Sequence, residues 1–125
     1  MAGKLTISTL NDSSGVFATQ NAMSGIAQAW VYFGGITTVT INASFNVSSV
    51  TRNGTGDYTV NFTTALADAN YATCGMASRN TATTSTSYLG MSPSTTHTTT
   101  AFQFFNSNDG GTLEDAARCA VIVHR

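Results

Sequence analysis

The sequence predicts an all-β fold: one antiparallel β-sandwich, jelly-roll-like, with a central Asn-Gly hairpin. Three observations predict it. Short runs of alternating apolar and polar residues recur along the chain, with turn residues between them. The residue types suit pleated strands, with 22 Thr, seven Phe and four Tyr against a single proline, Pro93. Finally, Asn53-Gly54 divides two runs whose alternation matches across the pair.

The elements follow in order. Leu5–Leu10 reads as a strand closed by the turn-rich Asn11–Gly15. Val16–Ile26 reads either as a short helix or as an irregular arm, so residues 1–26 are set apart as an arm or docking segment, and residues 27–125 form the sandwich. Ala27–Phe33 ends at Gly34-Gly35 and is apolar on both faces: Trp30 and Tyr32 share one parity, Ala29, Val31 and Phe33 the other. Such a strand is buried on two sides of one domain, or presents one face to another subunit. A stacking platform for sugar rings is a third reading. Thr37–Ala43 alternates Val39 and Ile41 with threonines. Tyr71–Ala77, Ser85–Met91, Thr98–Asn106 and Ala117–His124 complete the strands, and the last is again two-sided, with Ala120 and Ile122 opposing Cys119, Val121 and Val123. Leu113–Ala117 is read as a single helical turn opened by Thr112, with Asp115 three residues on. The Thr-rich segment Thr81–Thr100 is either a loop or, preferably, exposed strand, because Tyr88, Leu89 and Met91 call for burial.

The hairpin is the most specific local signal. With Asn53-Gly54 as a two-residue type I′ turn, Val47 pairs with Val60 and Phe45 with Phe62 on one face, while Asn46, Ser48, Thr59, Asn61 and Thr63 take the other. A four-residue loop would keep the faces and change the partners. The expected core is Val31, Val39, Ile41, Phe45, Val47, Tyr58, Val60, Phe62, Tyr71, Phe102, Phe104, Val121 and Val123.

Composition narrows the function. The 125 residues make one ordinary domain, able to bury about two thirds of its unfolded surface. Charged residues are 9% of the chain, against about 25% in a typical domain. Lys4, Arg52, Arg79, Arg118 and Arg125 form no basic patch, so nucleic-acid binding is not expected. No apolar run approaches the roughly 20 residues that span a bilayer, so membrane insertion is not expected. The start, MAGKLTISTLNDSSG, has no apolar stretch of signal-peptide length, so export by that route is not expected unless a signal has been removed. Thr, Ser and Asn give instead a neutral hydrogen-bonding exterior, suited to sugars or protein subunits.

No reaction chemistry is legible. Asp12, Asp57 and Asp109 sit in turn-like contexts, and Glu114 has Arg118 at helical spacing. No enzyme activity, cofactor or resident metal is expected. His97 and His124 belong to no spaced ligand set, although three copies of one His on a threefold axis would make a metal site. Cys74 and Cys119 read as two buried free thiols, with a cross-strand disulfide as the alternative. Asn-x-Ser/Thr occurs at Asn11, Asn42, Asn46, Asn53 and Asn61; about three matches are expected by chance from this composition, so the sequons carry little information.

AWVYF followed by SFNVSSVTRNGTGDYTVNFTTALADANYA, with the closing apolar strand CAVIVHR, resembles a family of small proteins and fibre-end domains of tailed bacteriophages. The resemblance covers residues 27–75 closely and the last strand loosely. It implies a non-enzymatic virion surface protein of tail-fibre or host-attachment type, a homotrimer in contact with other virion proteins and with a host surface glycan or protein. Trp30 and Tyr32 are then candidates for the subunit interface. Tyr88, His97 and Arg79, in the variable region Ser78–Asn108, are candidates for the receptor or partner surface. The Met start, the short chain and the lack of a fibrous repeat keep capsid decoration as the alternative expectation, with residues 1–26 docking on the particle. A soluble lectin-like module is a further one.

Overall fold

A computed structural model describes Gly3 and residues 26–80, 86–91 and 97–125, together with the backbone of 9–12 and 15–18. Strands β1 (Thr9–Asp12) and β2 (Gly15–Ala18) form a two-stranded antiparallel sheet of their own. The remaining strands are β3 (Ala27–Gly34), β4 (Thr40–Phe45), β5 (Val47–Gly54), β6 (Asp57–Phe62), β7 (Ala72–Arg79), β8 (Ser87–Gly90), β9 (Ala101–Asn108) and β10 (Ala116–His124). They make two four-stranded antiparallel sheets, ordered β4-β3-β10-β7 and β5-β6-β9-β8. The chain is therefore the expected all-β sandwich. Its connections differ from a jelly roll, in which successive strands alternate between sheets, because β3–β4, β5–β6 and β8–β9 are hairpins within one sheet.

The core lies between the sheets. Ala29, Val31 and Phe33 of β3 and Cys119, Val121 and Val123 of β10 face Tyr58, Val60 and Phe62 of β6 and Phe102 and Phe104 of β9, all buried. Alternation dictates this, since residues i and i+2 share a face. The rings pack edge-on across the gap: Phe33 lies 5.3 Å from Tyr58 at 69°, and Phe62 lies 6.0 Å from Tyr71 at 77°, the arrangement that ring quadrupoles favour.

Several expectations need correction. The β5–β6 hairpin forms, but its tip is Thr55-Gly56, not Asn53-Gly54. A type I′ turn needs positive φ at both central residues, and here Gly56 has φ +68° while Asn53 and Gly54 do not share that region. The pairing becomes Val47↔Phe62, Val50↔Val60 and Arg52↔Tyr58, with register shifts between Val47 and Ser49 and between Arg52 and Gly54. The first shift turns Val50 inward and leaves Ser49 and Thr51 exposed. Phe45 is not core. It ends β4 on the other sheet and is 54% exposed, because Asn46 (φ 53°) turns the chain from one sheet to the next. The Asn46 amide donates to the carbonyls of Gln28 and Thr64 (3.1 Å each) and its oxygen accepts from the Thr64 N–H (2.8 Å), which holds that corner. Ile41 is likewise exposed at the edge strand β4.

No helix forms among the described residues. Residues 112–117 approach β9 as an isolated bridge and then enter β10, and Glu114 pairs with Arg79 (2.8 Å) rather than with Arg118. Gly15–Ala18 is strand rather than helix, and residues 4–8 and 19–25 lie outside the described residues. Tyr88 and Met91 are exposed, and only Leu89 of that group packs on the core. Residues 81–85 and 92–96 lie outside the described residues.

Candidate interaction faces

The outer face of β4-β3-β10-β7 is apolar, and register shows why. Ile122 pairs with Trp30 on one side and Cys74 on the other, and Trp30 pairs with Phe45. Ala120 pairs with Tyr32 and with Met76, and Tyr32 pairs with Ala43. Two cross-strand rows result, Phe45–Trp30–Ile122–Cys74 and Ala43–Tyr32–Ala120–Met76. With strands about 4.8 Å apart, each row runs about 14 Å across the sheet. Met76 is 81% exposed, and Trp30, Tyr32 and Ile122 are each more than a third exposed. Neither row contains a charged residue. Apolar rows on an outer sheet face are a candidate interaction surface.

The opposite outer face, on β5-β6-β9-β8, has the reverse character. Its outward residues include Ser49, Thr51, Asn53, Asp57, Thr59, Asn61 and Gln103, set by the alternation that turns Val50, Tyr58, Val60, Phe62, Phe102 and Phe104 inward. They bond to one another. Asn61 Nδ2 donates to Ser49 Oγ (3.0 Å) and Thr51 Oγ1 (3.2 Å). Asn53 Nδ2 donates to Thr59 Oγ1 (2.8 Å) and Asp57 Oδ1 (3.0 Å), and Gln103 Nε2 donates to the same Asp57 oxygen (2.7 Å). Two aromatics interrupt this polar surface: Phe105, half-buried, and Tyr88, 54% exposed.

The free edges of β7 and β8 leave a cleft of about 310 Å³ between the sheets, lined by Cys74, Leu89, Met91, Phe102, Phe104 and Val121. Gly75 sets its width, since a Cβ there would fall 2.9 Å from Leu89 Cδ1 and 2.6 Å from the Ala120 carbonyl oxygen.

At the end of the sandwich that holds the β5–β6 turn, Asp115 ties the two sheets together. Its carboxylate accepts from Arg52 Nε (3.0 Å) and Nη2 (2.9 Å), from the Gly56 N–H (3.0 Å) and from the Tyr58 hydroxyl (3.1 Å). Burial alone pushes this carboxyl up; the Arg52 bonds first, then the Gly56 and Thr37 N–H groups and the Tyr58 hydroxyl, overcome it and bring the group down to about 2. Burial also pushes the Tyr58 hydroxyl up to about 12. This is an internal fastening, not an open site.

The sequence-predicted site residues divide among these regions. Trp30 and Tyr32 lie together in the apolar face. Tyr88 lies on the polar face, opposite Ser107 near the end of β9. Arg79 is engaged with Glu114 (2.8 Å) and Asp109 (3.5 Å), its side chain only 16% exposed. His97 stacks on Tyr71 with ring centroids 5.0 Å apart, before the start of β9. Tyr88 and His97 thus lie toward opposite ends of β9 and do not form one site. Cys74 faces outward and Cys119 inward, both as free thiols, so the two-buried-thiol reading holds only for Cys119, which burial pushes up to about 12. Phe45, Cys74 and Met76 were missed as surface residues; the pairing that aligns them with Trp30 and Tyr32 is long-range. Phe105 was legible, because Phe102 and Phe104 facing inward forces it out.

Among the described residues no three His, Cys, Asp or Glu side chains gather as a metal site, and no helix is long and apolar enough to cross a membrane. Comparison with protein-family models, curated proteins and solved structures gives no match.

Proposed function

We propose that this chain is a non-enzymatic structural protein on the surface of a tailed-phage virion, a self-associating knob of tail-fibre or attachment type. The observation that carries the proposal is the two-sided body. One sheet face carries two apolar rows bordered by Arg118 and suited to burial against another copy, and the other is a hydrogen-bonding exterior of Ser, Thr, Asn and Gln with one carboxylate, Asp57. The resemblance of residues 27–75 to phage fibre-end domains supplies the setting and the expected threefold assembly. In this reading Trp30 and Tyr32 lie at the subunit interface, the polar face looks outward, and the protein is made in the host cytoplasm and carried on the particle.

Capsid decoration is the second reading. The observation that favours it is the β1–β2 hairpin, which joins neither sheet of the sandwich. An isolated two-stranded hairpin is marginal in water, so a docking role on another virion protein would stabilise it. Immunogold labelling of particles separates the two. A few copies at the tail support attachment, labelling spread over the head supports decoration, and absence from the virion refutes both.

A further inference from the structure

We propose that the outer face of β5-β6-β9-β8 binds a neutral saccharide at a site centred on Asp57 and Phe105, with Asn53, Gln103, Gly90 and Tyr88 around them. The proposal rests on the attachment reading only for its biological use; the site itself follows from the geometry.

Asp57, Phe105 and Gly90 form one cross-strand row, because Asp57 pairs with Phe105 and Phe105 with Gly90. Gly90 shares Tyr88's outward parity, and a Cβ built on it would meet nothing within 4 Å. Packing therefore does not require glycine there. Its effect is to leave the β8 side of Phe105 uncovered. Tyr88, two residues back on the same face, rises beside the gap. The result is an aromatic surface with one open flank and a carboxylate on the other.

The carboxylate is positioned. Asn53 and Gln103 both donate to Asp57 Oδ1, which fixes the orientation of the group. A carboxylate has about four acceptor sites, so two amide bonds leave capacity for incoming hydroxyl donors. A pyranose offers what this arrangement lacks: adjacent hydroxyls that donate to the carboxylate and accept from the second N–H of the Gln103 amide, and an apolar C–H face that covers a ring. Charge sets the class further. Among the described residues Asp57 is the only charged side chain that these four strands turn outward, and Arg52 is turned toward Asp115. Anionic sugars would meet a negative group with no cation beside it, so the complement is a neutral sugar. The site also lies on the face opposite the apolar patch, so assembly and sugar binding do not compete.

A glycan array probed with the full chain, carrying neutral hexose and N-acetylhexosamine oligosaccharides beside sialylated and sulfated ones, tests this. The strongest neutral ligand is then titrated by NMR against the wild type, Asp57→Asn and Gly90→Thr. Gly90→Thr adds bulk in open space and should leave the fold intact, so it remains decisive even if Asp57→Asn perturbs the hairpin. Binding of neutral glycans, weakened on the order of tenfold or more by each variant, is the expected result. No neutral binding at millimolar sugar, a preference for anionic glycans, or equal affinity in wild type and Gly90→Thr would overturn the proposal. Particle labelling separates this from the attachment reading. Sugar binding by a protein absent from virions would leave the site standing and refute attachment, whereas a tail-located protein with no sugar binding would do the reverse.

Discussion

Asp115 is the residue on which one end of the sandwich depends. It accepts from Arg52 of β5, Gly56 of the β5–β6 turn, Tyr58 of β6 and Thr37 of the β3–β4 turn. The Tyr58 hydroxyl adds the Gly35 carbonyl (3.0 Å) and the Ala116 N–H (3.1 Å) to the same knot. The Asp115 carboxyl is depressed in the folded state to about 2, so it contributes stability that is fully present above the unfolded value near 4. That contribution is lost as pH falls from about 4 to about 2. A shift of this size corresponds to about 2 kcal/mol. Urea denaturation of the wild type should therefore show stability falling through this window, and Asp115→Asn should flatten the fall while lowering stability at pH 7. An unchanged acid profile in Asp115→Asn would show that other carboxylates govern it. None of this was legible in the sequence, where Asp115 resembled a helix-capping partner. Its guanidinium partner is 63 positions away, and no local pattern encodes such a pairing.

At the scale of elements, strand positions were legible and one turn was not. Alternation placed β3, β6, β9 and β10 and gave the inward parity of each, because period 2 is a local property. The tip of the β5–β6 hairpin was misread because tertiary contacts outweigh the Asn-Gly preference. Gly56 holds a left-handed φ, its N–H bonds to Asp115, and a Cβ there would fall 2.5 Å from the Asn106 carbonyl oxygen. Gly54 has nothing within 4 Å of its Cβ position. Gly56→Ala should therefore destabilise by at least about 2 kcal/mol, and Gly54→Ala should stay within about 0.5 kcal/mol. A turn centred on Asn53-Gly54 would give the opposite ranking in thermal melts. Unbroken alternation from Val47 would turn Ser49 and Thr51 inward; the bulge after Val47 turns Val50 inward instead, because one extra residue inverts parity from there on.

For the molecule as a whole, the sandwich has one core and two unlike exteriors. Phe62 packs against Phe102 and Tyr71, and Phe62→Ala should cost about 3–5 kcal/mol in equilibrium unfolding. The sequence showed that β3 and β10 are apolar on both sides, but not that they are neighbours, nor that Phe45 and Met76 extend the same surface. Self-association as proposed requires that surface to be buried between copies. Light scattering on the full chain at micromolar concentration, beside Met76→Glu, tests it most directly. Met76 is 81% exposed, so a charge there spares the fold of one subunit while opposing burial of the face. The wild type should scatter as a particle of three times the monomer mass, and Met76→Glu as a folded monomer. A wild type that stays monomeric, or a variant that assembles as the wild type does, would contradict it.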